Sequence, residues 1–225
     1  FSDLKAFGLE WLDAALYQSR STSYYDDRLA YLYERGLVYG CACSRSQIMS
    51  AQIDHDKEIC YKGTCEKKDL PLSGNTVRIR VSKDKVEFED LLIGLQIQHP
   101  KTQCGDFAIR DRHGNYTYQF ACVCDDIRQG VTHIIRGIDI LPSTGRQIYL
   151  YRMMKGVIPR FIHHPLKTDK NGIKLSKRNH SESLSNQLNK GISPQSLFAE
   201  ALGLSGSISL DEALDYLLKH KSIKS

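Results

Sequence analysis

The sequence has 225 residues, of which 41% are apolar and 25% are charged, so it can form one large domain or two modest domains with a hydrophobic core. It contains no apolar run of about 18 residues and no signal-peptide pattern, which predicts a cytoplasmic protein without a membrane span. The net charge of +5 is compatible with a nucleic-acid partner but does not by itself indicate one.

The first fifty residues predict helices. The opening stretch FSDLKAFGLEWLDAAL predicts a helix over about 2–17, and because the sequence begins at Phe1 within this pattern, we expect an amino-terminal part to be missing. A second helix should follow an N-cap at Ser23 and end at Gly36. Ser44 should cap a third, short helix.

From residue 76 onwards the sequence alternates in the manner of strands. Strands are predicted in TVRIRV, in VEFEDLLIGLQIQ, on both sides of the RHGN turn in GDFAIRDRHGNYTYQFACVC, and in VTHIIRG. A helix, STGRQIYLYRMMKG, should then begin near Ser143 or Thr144. An extended segment, RFIHHPL, follows, and the last 45 residues predict helices.

The order of these elements predicts the organisation of the chain. Strands and helices alternate between about 117 and 165, which favours an α/β domain with a parallel sheet. The polar, cysteine-bearing and strand-rich stretch 40–105 is predicted to be a small β-rich insertion. We therefore expect residues 1–39 and 106–180 to form two parts of the α/β domain and residues 181–225 to form a helical carboxyl-terminal segment.

Four of the seven cysteines lie within 25 residues. In a chain without secretory features, this crowding favours a metal site over a disulfide framework. Zinc in structural sites takes about four ligands in a tetrahedron and prefers thiolates. Cys41, Cys43 and Cys65 supply three of them. The alternative is a set of unrelated free cysteines in a flexible loop.

The residues alone do not decide which side chain is the fourth ligand. Cys60, His55 and Tyr61 are candidates, and ligand chemistry favours Cys60 because phenolate is uncommon on zinc. The cluster contains no H-x-E motif and no carboxylate base, so a metal there is expected to be structural rather than hydrolytic. The remaining cysteines are expected in the core: Cys104, Cys122 and Cys124.

The stretch NGIKLSKR, residues 171–178, places three cations beside an Asn-Gly turn. Lys174 and Lys177 are three residues apart, so a curled loop could direct both ammonium groups toward a polyphosphate, and the Ser176 hydroxyl adds a further donor. The stretch lacks the GxxxxGK[ST] pattern of a P-loop. Taken alone, it could equally be a solvated turn.

A second candidate site lies in VTHIIRGIDILPSTGRQ, residues 131–147, where a predicted strand ends near Arg136. Ligands bind at the carboxyl ends of strands in open α/β sheets, and a guanidinium suits a carboxylate. Tyr118, on a predicted neighbouring strand, could orient the same small substrate. Alternatively, Arg136 forms a structural ion pair with Asp139 or Asp125, and Tyr118 is simply half-buried.

The chain resembles the catalytic core of the class I glutamyl-tRNA synthetases in two stretches, GDFAIRDRHGNYTYQFACVCDDIRQGVTHIIRGIDILPSTGRQIYLYRMM and HHPLKTDKNGIKLSKR. It is more similar still to their short paralogues, the glutamyl-queuosine tRNA(Asp) synthetases. The resemblance extends from residue 1 to about 185, and KLSKR stands at the place of the family's KMSKS-type loop. It implies a Rossmann catalytic domain with a zinc-bearing insertion.

The resemblance also implies roles for individual residues. Lys177 and Lys174 would contact ATP during adenylate formation, with Ser176 beside them, and Mg²⁺ usually accompanies ATP in such sites. Tyr118 and Arg136, 18 residues apart, would form part of a glutamate pocket. The paralogues' zinc set, C-x-C followed by Y-x3-C, would be Cys41, Cys43, Tyr61 and Cys65.

The reaction implied by the resemblance has two steps, and the protein is expected to act as a monomer. Glutamate and ATP give glutamyl-adenylate and pyrophosphate, and the glutamyl group then moves to queuosine at the wobble position of tRNA(Asp). Only 47 residues follow KLSKR, which favours the paralogues because a full glutamyl-tRNA synthetase carries a long helical region there.

The sequence departs from the family at several points. The HIGH-type motif and the amino-terminal part of the glutamate pocket have no counterpart, Gly145 stands where the family often has proline, and Cys60 beside Tyr61 is additional. Two alternative functions therefore remain. One is a fragment of a glutamyl-tRNA synthetase that charges the tRNA 3′ end, and the other is a non-catalytic zinc-containing RNA-binding module.

Overall fold

The computed structural model describes residues 2–11, 15–50, 59–166 and 183–220. The chain divides into two compact units. The larger unit comprises Leu16–His163, and the smaller one combines Phe1–Ala15 with His164–Ser225.

The described part of the chain contains helices and strands in alternation. The helices are α1 (Ser2–Ala6), α2 (Thr22–Glu34), α3 (Arg45–Ser50), α4 (Pro100–Gln103), α5 (Tyr118–Gln129), α6 (Leu141–Met153), α7 (Leu184–Asn189), α8 (Pro194–Leu202) and α9 (Leu210–His220). The strands are β1 (Val38–Cys41), β2 (Thr76–Ile79), β3 (Val86–Asp90), β4 (Gly94–Gln98), β5 (Ala108–Arg110), β6 (His133–Gly137) and β7 (Arg160–His164). Short 3-10 turns cover Gln18–Arg20 and Ile138–Ile140.

The described strands form two sheets. The first has the order β1-β2-β5 and is antiparallel at both pairings, which places Cys41 opposite Thr76. The second has the order β4-β3-β7-β6; β3 and β4 form an antiparallel hairpin, and β3 runs parallel to β7. This sheet is therefore mixed, whereas the sequence favoured a parallel one. The strands predicted in TVRIRV, VEFEDLLIGLQIQ and VTHIIRG are confirmed.

The prediction of a second strand after the RHGN turn is wrong, because Tyr118–Gln129 forms helix α5. The buried residues Phe120, Val123 and Cys124 recur at helical spacing, and Gly130 ends the helix with a positive φ of 64°. The short alternating run at the start of this stretch fits a strand equally well. Packing against α6 selects the helix.

Several helix boundaries also differ from the predictions. Instead of continuing to about residue 17, α1 ends at Ala6, and the chain then turns through Gly8 with φ 77°. Helix α2 has Ser21 rather than Ser23 as its N-cap, and it ends before Gly36 as predicted. The predicted cap of α3 is confirmed, because the Ser44 hydroxyl accepts a hydrogen bond from the Gln47 N–H at 3.2 Å.

The larger unit has one extended apolar core. Its fully buried members come from α2, β2, β3, β5, α5, α6 and β7: Leu32, Val77, Ile79, Val86, Ile109, Phe120, Val123, Cys124, Ile148, Leu150, Tyr151 and Phe161. Cys104 and Cys124 are buried as predicted, whereas Cys122 is only partly buried. Helix α6 begins at Leu141, ahead of the predicted start at Ser143 or Thr144, so Thr144 lies inside the helix and is fully buried.

The smaller unit confirms the helices predicted for the carboxyl-terminal segment. Helix α8 is capped by the Ser193 hydroxyl and ends at Gly203 with φ 75°. The Phe7 and Phe198 rings meet edge to face at 5.5 Å, and the Ser185 hydroxyl donates to the Asp3 carboxylate at 2.7 Å. These contacts join the first residues of the chain to its last helices.

Gly105 allows two backbone segments of the larger unit to approach each other closely. Its φ is +66°, and it forms a bridge with Tyr61, whose N–H donates to the Cys104 carbonyl at 3.1 Å. A Cβ atom at residue 105 would lie 1.9 Å from the Tyr61 carbonyl oxygen. Only glycine fits there, and its presence fixes where Tyr61 lies.

We expect Gly105→Ala to destabilise the protein by roughly 3 kcal/mol or more, because it adds a backbone clash to the cost of a left-handed φ. The matched control is Gly130→Ala, where φ is +64° and nothing lies within 4 Å of an added Cβ. This control should cost only about 1–2 kcal/mol. Urea unfolding measures the free energy of unfolding of both variants. Equal losses in Gly105→Ala and Gly130→Ala would contradict a backbone clash at residue 105.

Candidate functional site

The structure brings four of the predicted metal ligands together. The sulfur atoms of Cys41, Cys43 and Cys65 all lie within 4.8 Å of one another, and the Cys43 and Cys65 sulfurs are 3.5 Å apart. The Tyr61 hydroxyl lies 3.3 Å from the Cys41 sulfur and 3.7 Å from that of Cys43. Ligand atoms at tetrahedral zinc distances lie roughly 3.3–3.8 Å apart, so this spacing fits a metal ion.

The Cys60 side chain takes a different direction from these four. Its thiol donates to the Lys101 carbonyl oxygen at 3.8 Å and accepts from the Lys62 ammonium at 3.8 Å. His55, the other candidate ligand, lies outside the described residues. The geometry therefore favours Tyr61 over Cys60 as the fourth donor, which is the opposite of the preference from ligand chemistry alone.

The surroundings of Tyr61 hold its ring and its oxygen in place. The Cys65 N–H donates to the Tyr61 hydroxyl oxygen at 2.8 Å. The Arg78 guanidinium lies over the Tyr61 ring at 3.8 Å and donates to the Asp106 carbonyl at 2.9 Å. Tyr61 is only 3% exposed, so the hydroxyl can turn to few partners besides the thiols.

The protonation of the cluster is compatible with a cation. Burial acts to raise the pKa of the Cys65 thiol, but hydrogen bonds with Tyr61, the Ala42 N–H and the neighbouring thiols outweigh burial and lower the pKa to about 7. Burial raises the pKa of both Tyr61 and Cys43. A divalent cation among these groups would favour their deprotonated forms, and three thiols with one phenol could hold zinc.

The second candidate site centres on Arg136 at the end of β6. Its Nε donates to His163 Nε2 at 3.0 Å, Nη1 donates to Gln147 Oε1 at 2.6 Å, and Nη2 donates to the Thr144 hydroxyl at 2.7 Å. Burial lowers the pKa of Arg136, yet a guanidinium remains charged at any ordinary pH. The three neutral partners therefore fix a positive charge without cancelling it.

His163 is itself held by Asp90, the last residue of β3. The two side chains are fully buried, and His163 Nδ1 lies 2.6 Å from Asp90 Oδ2. The backbone N–H groups of Leu92 and Ile93 donate to the other Asp90 oxygen at 3.0 and 3.1 Å. Burial acts to raise the pKa of Asp90, but these hydrogen bonds and those from His163 outweigh it, so the pKa lies below its ordinary value.

Tyr118 occupies the first position of α5, not the strand on which it was predicted. It is 58% exposed, so it is more accessible than the half-buried alternative required. A hydrogen bond with Cys122 raises the pKa of its hydroxyl, and the positive charge of Arg136 acts in the opposite direction. Tyr118 and Arg136 therefore lie close enough to influence each other electrostatically.

The alternative ion pair between Arg136 and Asp125 finds no support in the position of Asp125. The Asp125 carboxylate accepts from the Tyr25 hydroxyl at 2.9 Å and from the Gln18 amide at 3.0 Å. These partners give Asp125 a structural role beside α2.

The predicted ATP-binding residues, Lys174, Ser176 and Lys177, lie outside the described residues. Their roles stay predictions. In the described part of the chain, every helix is too short or too polar to cross a membrane.

Sequence reasoning missed four residues of the Arg136 site: Asp90, Thr144, Gln147 and His163. The sequence pattern could have indicated two of them, because Thr144 and Gln147 are three residues apart and lie on one helical face shortly after Arg136. No pattern in the sequence indicates Asp90 and His163 as partners, because 73 residues separate them.

Comparison with known proteins identifies one family. Residues 1–221 match the family described as tRNA synthetases class I (E and Q), catalytic domain. A Glutamyl-Q tRNA(Asp) synthetase from Yersinia pseudotuberculosis is 40% identical over 183 residues, which cover 81% of this chain and 54% of the relative. Proteins of the same name from Verminephrobacter eiseniae and Colwellia psychrerythraea are 38% and 34% identical, covering 90% and 96% of this chain and 71% and 70% of the relatives. The chain thus spans about half the length of the first of these relatives.

Solved structures support the fold. A glutamate-tRNA synthetase from Elizabethkingia anophelis superposes with a TM-score of 0.65 at 22% identity, covering 79% of this chain and 41% of that one. A glutamate tRNA ligase from Elizabethkingia meningosepticum, solved in complex with its amino acid, gives a TM-score of 0.63 at 21% identity. The predicted α/β fold of the class I synthetase type is confirmed.

We expect Asp90→Asn to destabilise the protein by about 2–4 kcal/mol at neutral pH, because an amide cannot accept from all the donors around Asp90. Since the folded-state pKa lies below the ordinary value of 3.8, the carboxylate stabilises the fold above pH 3.8 and loses this contribution as the pH falls through the lower folded value.

The difference in free energy of unfolding between the wild type and Asp90→Asn should therefore be smaller at about pH 3 than at neutral pH. Urea unfolding at neutral pH and at about pH 3 tests this, with Asp84→Asn at an exposed position as the control. If the wild type and Asp90→Asn differ by the same free energy of unfolding at both pH values, the ionised Asp90 carboxylate does not stabilise the fold as described.

Proposed function

Because the chain belongs to the family of class I tRNA synthetases for glutamate and glutamine, we propose that it takes part in an ATP-dependent transfer of glutamate to the queuosine base at the wobble position of tRNA(Asp). The name shared by the curated relatives supports this choice of acceptor. The first step joins glutamate to AMP and releases pyrophosphate. In the second step a hydroxyl of queuosine takes the glutamyl group and AMP leaves.

The observation that supports this proposal most directly is the hydrogen bonding of the Arg136 guanidinium, which uses only some of its N–H donors. A guanidinium has five N–H donors, and among the described residues three of them are used, one on each nitrogen. One N–H on each terminal nitrogen is left over. Two N–H donors on the terminal nitrogens of a guanidinium can bind a carboxylate through both of its oxygens.

Tyr118 supplies a second contact for the same small substrate. Its hydroxyl is accessible and lies in the electrostatic field of Arg136, so it can hydrogen-bond to glutamate while Arg136 binds a carboxylate. The remaining contacts with ATP are assigned to Lys174, Ser176 and Lys177 on the strength of the family resemblance, with Mg²⁺ on the phosphates.

No protein nucleophile is required in this reaction. One oxygen of the α-carboxylate of glutamate attacks the α-phosphate of ATP, and the bond to pyrophosphate breaks, so the carboxylate that Arg136 holds is the one on the glutamate side chain. The protein contributes by holding the two reactants in line and by neutralising the charge that builds up as pyrophosphate leaves. Arg136 acts on the amino-acid side of this reaction, and the lysines act on the nucleotide side.

Zinc is assigned to Cys41, Cys43, Tyr61 and Cys65. The donor set is rich in thiols, and its spacing suits a tetrahedron. A bound Zn²⁺ would stabilise the contact between the end of β1 and the segment around Tyr61. Its role is therefore structural.

Pyrophosphate exchange and tRNA loading test the function together. With full-length protein, glutamate, ATP and labelled pyrophosphate, we expect label to enter ATP in the absence of tRNA. We then expect labelled glutamate to attach to tRNA(Asp) that carries queuosine, and not to the same tRNA without it. Loading of the 3′ end of tRNA(Glu) would support a glutamyl-tRNA synthetase instead, and absence of exchange would support a non-catalytic module.

The Arg136→Lys variant tests the pocket within the same assay. Lysine keeps the charge but loses the planar fork, so the KM for glutamate should rise by about 10-fold or more. Arg160→Lys, at an exposed position at the start of β7, is the matched control and should behave as the wild type. An unchanged KM for glutamate in Arg136→Lys would remove Arg136 from the pocket.

Elemental analysis of the purified protein tests the metal site. We expect about one zinc per chain, and a loss of affinity of at least about 10-fold in Cys41→Ser, because one of four ligands is removed. Cys60→Ser is the matched control and should retain the metal, since the Cys60 thiol contacts Lys101 and Lys62 instead. Zinc loss in Cys60→Ser, with retention in Tyr61→Phe, would reverse the assignment of the fourth ligand.

A further inference from the structure

The hydrogen bonds around Arg136 determine the protonation of His163. Arg136 Nε has a hydrogen to donate and cannot accept, so His163 Nε2, at 3.0 Å, must be the acceptor. The Thr144 hydroxyl lies 3.0 Å from the same nitrogen and can only donate to it. His163 Nε2 therefore carries no proton, and the ring proton lies on Nδ1.

Asp90 holds that ring proton in place. Its Oδ2 lies 2.6 Å from His163 Nδ1 and 3.1 Å from the His163 backbone N–H. Asp90 thus holds both the backbone of His163 and the Nδ1 atom of its ring, which sets the direction of the Nε2 lone pair. An orienting carboxylate behind a histidine fixes both the tautomer and the plane of the ring.

This arrangement keeps the charge of Arg136 available. If a carboxylate contacted Arg136 directly, it would form an ion pair and compete with an incoming carboxylate for the same donors. In the structure a neutral imidazole takes that place, and the negative charge of Asp90 lies on the far side of the ring. The guanidinium is held at its Nε edge while its positive charge remains directed at the substrate.

We propose that His163 and Asp90 are positioning residues for the amino-acid substrate. They orient Arg136 so that its two remaining N–H donors bind the side-chain carboxylate of glutamate. This rests on the proposed function of Arg136. His163 and Asp90 do not touch the substrate themselves. They lower the cost of binding by fixing the guanidinium before the substrate arrives.

Separate measurement of KM for glutamate and for ATP tests this proposal in the pyrophosphate-exchange assay with full-length protein. His163→Leu removes the acceptor and should raise the KM for glutamate by about 10-fold or more while leaving the KM for ATP unchanged. His163→Gln restores a neutral acceptor at a similar reach and should stay within about 3-fold of the wild type. His164→Leu, at the neighbouring exposed position, is the matched control and should equal the wild type.

The outcomes separate this proposal from the proposed function. If Arg136→Lys raises the KM for glutamate and His163→Leu does not, the positioning role is wrong and the function stands. If neither variant changes it, the function of Arg136 fails as well. If His163→Leu raises both KM values alike, or His163→Gln fails to rescue, His163 has only a structural role and the proposal is overturned.

A spectroscopic measurement decides the point even if His163→Leu does not fold. In a long-range ¹H–¹⁵N spectrum of the wild type, we expect the His163 signals, assigned by their loss in His163→Gln, to show a neutral ring protonated at Nδ1. A ring that is protonated at Nε2 or at both nitrogens in the wild type at neutral pH would overturn the proposal.

Discussion

A guanidinium cannot release its proton, so a partly buried arginine requires acceptors around it, and this constraint organises the proposed active site. Arg136 at the end of β6 takes its acceptors from two other elements: His163 from β7, and Thr144 and Gln147 from α6. The hydrogen bonds therefore join sheet and helix at the place where a carboxylate is to bind. Asp90 extends the same network to β3.

The position of α6 depends on a second polar contact with the sheet. The Gln98 side chain, from the end of β4, accepts from the Gly145 N–H at 2.8 Å and donates to the Leu141 carbonyl at 2.8 Å. A Cβ atom at residue 145 would lie 2.6 Å from the Gln98 oxygen. Proline, which the family often has at this position, would have no N–H to donate. Gly145 and Gln98 are thus complementary, and they place Thr144 where Arg136 needs it.

The sequence predicted those parts of the site that lie close together along the chain or that resemble a known motif. Cys41 and Cys43 share a C-x-C pattern, and Tyr118 and Arg136 were assigned through the family resemblance. The order of strands and most of the helices also followed from periodicity. The strand predicted at Tyr118 was wrong because the alternation over residues 115–120 is typical of a strand, whereas packing against α6 selects the helix.

The residues for which the sequence gives no signal are those whose partners are distant in sequence. Asp90 is an ordinary acidic residue at a strand end until the parallel pairing of β3 with β7 brings it to His163. Asp106 behaves in the same way near the metal site, where its carboxylate accepts from the hydroxyl of Tyr39, 67 residues away in the sequence. In both places a buried carboxylate fixes a polar side chain close to a proposed site, without contacting the proposed ligand itself. Because long-range strand pairing creates these supports, they become visible only in the folded chain.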